Sequence, residues 1–218
     1  MTTQALKSYL ENRAVNIETL RTLKEKGLPL EISEYIVSYV DRNIPVYNTF
    51  DKDINNILKS LKYKNKLSVD AYHLLNYIIY IFINKTIHDA IIVTVHSRRH
   101  TLRAGDIDYA LGIYTDKPTG LINSMRKAGN EAINDFTIKS NFVRLHVEPI
   151  VRNNMKNSYS TSQLSKDSMP YLLAVMEVFV RRILKSSIKN KGLLTADDIL
   201  TGIENNNNLK IMLLDLFI

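Results

Sequence analysis

The sequence predicts an all-α protein made of two similar helical units preceded by an N-terminal helical extension. Its 218 residues include only 7 Gly and 5 Pro, few for a β-rich chain with many tight turns. A short pattern occurs twice, because residues 101–107 read TLRAGDI and residues 193–199 read LLTADDI. A long apolar stretch with helical spacing precedes each copy, and a shorter one precedes that. We therefore expect two repeats of short helix, long helix and short helix, neither of which buries its long helix alone.

The N-terminal extension, residues 1–47, contains six basic and six acidic residues and carries no net charge. Residues 2–26 and 31–42 read as two helices separated by the sequence GLPL. In the second helix, apolar residues recur at helical spacing at Ile32, Ile36, Val37 and Val40. We interpret the extension as helices packed on the main body, since an amphipathic helix needs an apolar surface to cover its apolar face.

The first unit spans residues 48–138. Asp51 is the expected N-cap of a short helix, and Ser68 is the expected N-cap of a long helix over residues 69–97. At 1.5 Å per residue the long helix spans roughly 40 Å, so it needs a second long helix crossing it. Two further helices are expected over residues 103–113 and 119–136.

The second unit spans residues 139–218 and repeats this scheme. Its expected elements are a short helix over residues 147–155, a polar loop over 156–168, a long helix over 169–189, a short helix over 195–203 and an apolar helical tail over 209–217. The net charge of +7 lies in the two units, +3 in the first and +4 in the second. This modest basic balance permits nucleic-acid binding.

Composition and motifs argue against several classes of function. The chain has no Cys, which excludes disulfides and cysteine-based metal sites and agrees with a reducing compartment. His96 and His100 have no carboxylate at a ligand spacing nearby, so we expect no metal. We find no phosphate-binding glycine loop and no nucleophile motif, so we expect no enzyme and no cofactor. Polar residues interrupt the most apolar stretch, residues 74–95, so we expect no membrane span.

Several segments resemble core histones. Residues 98–111 (RRHTLRAGDIDYAL), 118–121 (PTGL) and 127–132 (KAGNEA) are similar to the second loop, third helix and C-terminal helix of histone 2B. Residues 170–177 (PYLLAVME) resemble the central helix of histone 2A, and residues 203–209 resemble the segment after its third helix. The order, 2B before 2A, resembles the fused histone doublets of certain giant DNA viruses. The likeness covers residues 50–218.

The resemblance implies two tandem histone folds that pair intramolecularly as a pseudo-heterodimer. The implied function is structural: the chain would wrap and compact double-stranded DNA in nucleosome-like particles, without sequence specificity. Its partner would be a second doublet or pair resembling histones 3 and 4, and its location the virion and the viral factory or host nucleus. The alternative is a histone-fold scaffold or transcription-factor-like subunit acting through protein partners. For residues 1–47 three roles stay open under either function: capping the paired folds, bridging particles or binding an unrelated partner.

In a histone pair the long helices cross antiparallel, so the first loop of each unit lies beside the second loop of the other. Lys64 and Lys66 are thus expected near Lys189 and Lys191, and Arg98 and Arg99 near Lys166. Arg99 matches the position that enters the minor groove, although Asp106 is expected to pair with Arg98 or Arg99. The residues expected to contact DNA are Lys62, Lys64, Lys66, Arg98, Arg99, Thr101, Arg152, Lys156, Lys166, Lys189, Lys191 and Thr195.

The chain departs from histone 2A in the acidic patch that binds tails and chromatin factors. Glu177 matches one of the carboxylates of that patch. The other matching positions hold basic or neutral residues, namely Arg182, Lys185, Asn206, Asn207 and Asn208. The C-terminal docking segment is reduced to residues 212–218, and neither end has a basic tail. These departures imply a looser particle or a variant with a specialised role.

Overall fold

A computed structural model describes residues 49–63, 65–113, 120–156, 163–188 and 192–217. These residues form eight helices and four strands of two residues each. The helices are α1 (Asp51–Ser60), α2 (Val69–His96), α3 (Ala104–Ile113), α4 (Gly120–Asn134), α5 (Arg144–Lys156), α6 (Ser168–Ser187), α7 (Ala196–Glu204) and α8 (Asn207–Phe217). The strands are β1 (Lys66–Leu67), β2 (Thr101–Leu102), β3 (Gln163–Leu164) and β4 (Leu193–Leu194). The all-α class is confirmed, and the expected extension, residues 1–47, lies outside the described residues.

The start of α1 differs from the expectation. Asp51 is not its N-cap: Phe50 occupies that position without a side-chain capping hydrogen bond. The amide of Asn76, on α2, holds the start of this helix in another way: its Oδ1 accepts from the Phe50 N–H (2.9 Å) and its Nδ2 donates to Asp51 (2.8 Å). The other expected N-cap is confirmed, because the Ser68 hydroxyl accepts from the Ala71 N–H at the start of α2.

Three helices of the second unit begin or end two or three residues from their expected positions, and one of them is α8, which begins at Asn207 rather than residue 209. Helix α5 begins at Arg144 rather than residue 147 and continues through Pro149. The first unit stabilises this earlier start, because the Val143 N–H and the His146 ring both form hydrogen bonds to Asp53. The long helix α6 ends at Ser187, with Ile188 in an extended conformation as its C-cap.

The two long helices pack against each other inside one core built from both units. At their contact Phe82 of α2 stacks on Phe179 of α6, with ring centroids 4.6 Å apart and both rings fully buried. Helix α2 is long and apolar enough to cross a membrane by length and composition. Its buried residues include polar ones such as Asn76, Thr86 and Thr94, an arrangement typical of a helix packed within a protein core.

The strands fix the relative direction of the long helices. Strand β1, just before α2, pairs in parallel with β4, just after α6. Strand β2, just after α2, pairs in parallel with β3, just before α6. The start of each long helix therefore lies beside the end of the other, so the helices run antiparallel, as expected.

Helix α4 lies close against α6. A Cβ added at Gly129 would lie 2.5 Å from the ring of Tyr171, so only glycine allows this approach. The buried Tyr171 hydroxyl donates to Asp108 of α3 (2.5 Å), which also forms an ion pair with Arg126 of α4. The hydrogen bonds from Arg126 hold the pKa of Asp108 below its usual range. This triad joins the closing helices of the first unit to the long helix of the second.

Candidate nucleic-acid interface

The strand pairs bring four loops together at the two ends of the crossed long helices. The first loop pair consists of residues 62–68 and 192–195, joined by β1 and β4. The second loop pair consists of residues 98–103 and 163–167, joined by β2 and β3. The expected meeting of each unit's first loop with the other unit's second loop is therefore confirmed.

Several hydrogen bonds between the units hold the first loop pair. The Asn65 side chain donates to the Gly192 carbonyl (3.1 Å), and both the N–H and the hydroxyl of Ser68 donate to the Leu194 carbonyl (2.9 and 3.0 Å). Lys62 and Lys66 are exposed on this pair. Lys64, Lys189 and Lys191, which were expected here, lie outside the described residues.

Two helices begin side by side at the first loop pair. Ser68 caps α2, and Thr195 caps α7 in a reciprocal arrangement with Asp198. Helix N-termini have free N–H groups and a partial positive charge, which attract anions. The Thr195 hydroxyl accepts from the Asp198 N–H, so in this structure its role is capping. Acidic residues in the first turn of α7, Asp197 and Asp198, reduce the positive potential there.

The second loop pair has the same construction. The Gln163 N–H donates to the His100 carbonyl (3.1 Å), and the Ser165 N–H donates to the Leu102 carbonyl (3.0 Å). The Thr101 hydroxyl donates to the Gln163 side chain (3.1 Å) and thus braces the partner loop. Helices α3 and α6 begin here, and Lys166 is exposed beside them.

Arg99 and Arg98 have different environments in this second pair. Both terminal nitrogens of Arg99 bond to the carboxylate of Asp106 (2.5 and 3.2 Å), whose side chain is 3% exposed. The expected ion pair of Asp106 is thus confirmed and is formed by Arg99. Arg98 is exposed, and among the described residues no carboxylate lies within ion-pair distance of it. The structure therefore favours Arg98 over Arg99 as the arginine available to a ligand.

Helix α5 carries two of the predicted DNA contacts, Arg152, which forms an ion pair, and Lys156. Arg152 and Arg144 both form ion pairs with Glu148, at i,i+4 spacing on either side of it. The hydrogen bond from Arg144 holds the pKa of Glu148 below its usual range. The arginines are exposed and outnumber the carboxylate, so this face of α5 keeps a positive charge. Lys156 is exposed at the end of the helix.

A third pair of helix N-termini, those of α1 and α5, is already occupied by a carboxylate. Asp53 is fully buried and accepts from the Val143 N–H (3.0 Å) and the His146 ring nitrogen (2.6 Å). An internal anion therefore lies where the start of α5 would otherwise attract an external one. A carboxylate also lies at the start of α7, where buried Asp70 accepts from the Ala196 N–H (3.3 Å), so the case for the two loop pairs depends on their exposed cations.

Arg103 is not among the DNA contacts predicted from the sequence, yet it is exposed in the second loop pair directly before α3. The signal was available, since this residue lies two positions after Thr101 in the repeated pattern. Glu177 also has a different role from that of an acidic-patch residue. Burial raises the pKa of Glu177, but the hydrogen bonds that it accepts from Ser140, Asn141 and Arg181 together outweigh burial and hold the pKa below its usual range.

The described residues contain no cluster of three or more His, Asp or Glu side chains able to hold a metal ion. Their most distinctive polar feature is instead the pair of basic, hydrogen-bonded loop junctions. The sequence matches no protein-family model and no curated protein.

Proposed function

We propose that the two units are tandem histone folds that pair within one chain, and that the protein wraps double-stranded DNA without reading its sequence. The helix order, the antiparallel long helices and the parallel bridges between opposite loops support the fold assignment. So does the resemblance of the first unit to histone 2B and of the second to histone 2A. The protein is then a structural component of nucleosome-like particles.

The observation that carries the DNA-binding proposal is the spacing of the two loop pairs. They lie at opposite ends of α2, whose 28 residues correspond to roughly 40 Å. One turn of B-DNA measures about 34–36 Å. A duplex that bends along α2 can therefore present its backbone to both loop pairs. Exposed cations and helix N-termini are suited to phosphate, and they provide no base-specific readout.

A second surface supports the proposed partner, a pair resembling histones 3 and 4. Ile92 and Val95 are exposed near the end of α2, and Tyr109 is exposed on the neighbouring α3. The hydrogen bond from Thr94 to Asp106 (3.0 Å) joins the two helices at this point. Exposed apolar side chains beside the second loop pair would be covered in a larger assembly, where the DNA path would continue onto the partner.

The alternative is a histone-fold scaffold or transcription-factor-like subunit that acts through protein partners. The same exposed residues, Ile92, Val95 and Tyr109, favour a protein partner in that case as well. The two functions differ in what they predict for DNA. A scaffold would contact DNA weakly and would protect no defined length of it.

Nuclease protection of random-sequence DNA by the full chain tests the proposal, alone and with a pair of histones 3 and 4. We expect discrete protected lengths when the partner is present, and affinity that falls steeply as salt rises. Absence of protection in both mixtures would refute the wrapping function and favour the scaffold. The proposed locations, the virion and the viral factory or host nucleus, follow from the same function.

A further inference from the structure

Four large apolar side chains are exposed on the segment that joins the two units, from the end of α4 into the first turn of α5. We call this group the linker patch and define it by its members: Phe136 (57% exposed), Ile138 (51%), Val143 (44%) and Leu145 (77%). Four large apolar side chains within ten residues are more than the scattered exposure normal for a protein surface. A patch of this kind indicates that another apolar surface covers it.

The linker is held in place by the body, so it cannot relieve this exposure by moving freely. The Ser140 hydroxyl donates to Glu177 (2.8 Å), and the Asn141 N–H donates to the same carboxylate (2.6 Å). The buried ring of Phe142 packs edge-on against Phe50, with centroids 5.9 Å apart. The linker thus buries one apolar side chain and leaves the four around it facing outwards.

The entry point of the N-terminal extension lies beside this patch. The extension precedes Phe50, and Phe50 is the residue whose ring contacts Phe142, next to Val143. The helix expected over residues 31–42 ends eight positions before Phe50. An extended chain of that length spans up to about 28 Å, so the helix reaches any part of the linker patch. A short tether also gives it a local concentration on the order of millimolar.

The chemistry of this helix fits the linker patch. Its apolar residues Ile32, Ile36 and Val40 lie within one helical face, and Ser38 lies on the opposite face. The segment has three acidic residues and one basic residue, and exposed Lys139 and Arg144 lie within the patch, where Glu148, paired with Arg144, and exposed Asp135 offset part of their charge. The fit therefore depends on the apolar face of the helix, and charge adds little to it.

We propose that residues 31–42 dock on the linker patch of their own chain and cover it. The extension then acts as an intramolecular cover over the junction of the two units. This interaction does not depend on DNA binding, so it stands or falls separately from the proposed function.

Photo-crosslinking of the full chain tests this contact directly. The chain has no Cys, so Leu145→Cys introduces a single thiol that accepts benzophenone maleimide. Because Leu145 is 77% exposed, the change leaves the core intact. We expect irradiation of the dilute protein to produce crosslinks within one chain that map to residues 31–42. Leu193→Cys, exposed in β4 beyond the far end of α6, is the control and should give none there.

A matched pair of substitutions separates docking from mere proximity. Ile36→Asp places a charge on the apolar face and should lower the crosslinking yield about tenfold, whereas Ser38→Asp on the opposite face should leave it unchanged. Equal yields in both variants would overturn the proposal, because the tether alone would then explain the crosslink. Crosslinks found only between chains, or only to other segments, would also overturn it.

Discussion

Adjacent arginines in the second loop pair should have opposite roles, which substitution to alanine can separate. Arg98→Ala removes an exposed cation, whereas Arg99→Ala removes the partner of the buried Asp106 carboxylate. We expect the first change to weaken DNA binding without affecting the melting temperature. The second should lower the melting temperature.

The loss in free energy of unfolding caused by Arg99→Ala can be worked out from the hydrogen bonds that Asp106 would keep. Its Oδ2 keeps hydrogen bonds from the Thr94 hydroxyl and the Arg103 N–H (both 3.0 Å), but Oδ1 loses the partner that it has in Arg99. Hydrogen bonds to a charged group contribute about 1.5–3 kcal/mol, and breaking a buried ion pair costs about 3–5 kcal/mol. Since Arg99 is 29% exposed, water replaces part of the loss, and we expect about 2–3 kcal/mol. For a chain of this size that corresponds to roughly 4–12 °C.

Thermal unfolding followed by circular dichroism, with salt titrations of DNA binding, measures both effects. Arg98→Ala should reduce the slope of log affinity against log salt by about 0.9, the value for one lost phosphate contact. The double variant Arg99→Ala/Asp106→Asn should regain part of the lost stability, because it no longer buries an unpaired charge. If Arg99→Ala melted like the unmodified chain but lost DNA affinity, Arg99 would be a DNA contact and not the structural partner of Asp106.

Three further substitutions, the first with a matched control, test the packing of the fold. Gly129→Ala forces a Cβ against a buried tyrosine ring and should cost about 1–3 kcal/mol in thermal unfolding, whereas Gly105→Ala, with no atom within 4 Å of the added Cβ, should be neutral or slightly stabilising. Arg126→Met should lower stability at pH 7 and flatten its decline in acid. The folded pKa of Asp108 is below its unfolded value of about 3.9, so this stabilisation is present above pH 4 and is lost as pH falls through the lowered pKa. Asp53→Ala removes the acceptor for the first turn of α5 and should cost about 2–4 kcal/mol in denaturant unfolding; a loss below 0.5 kcal/mol would contradict its structural role.

The features predicted well from the sequence are those with a local signal. Ser68 is predicted as an N-cap because a hydroxyl residue preceding an apolar periodic stretch favours that position, and it is one; Thr195, predicted as the first residue of its short helix, is the N-cap of that helix. The pairing of Asp106 with an arginine of the preceding loop spans only seven residues. The helix order also followed from periodicity and from the repeated pattern.

Features that depend on distant contacts were not predictable in this way. Asn76 interrupts an apolar helix, but its side chain accepts from the N–H of Phe50, 26 residues earlier in the chain, and holds the start of α1. The bond between Asp53 and His146 joins residues 93 positions apart, and no local pattern marks either of them. Arg99 was matched to a DNA contact by resemblance alone, whereas its ion pair depends on where α3 places Asp106.

The ordered linker between the units has a thermodynamic consequence. Two separate chains that share one core dissociate on dilution, and their midpoint of unfolding depends on concentration through mass action. Here one peptide segment joins the halves, so folding is unimolecular and the same midpoint should hold at any concentration. The two halves are also made in a fixed ratio of one to one.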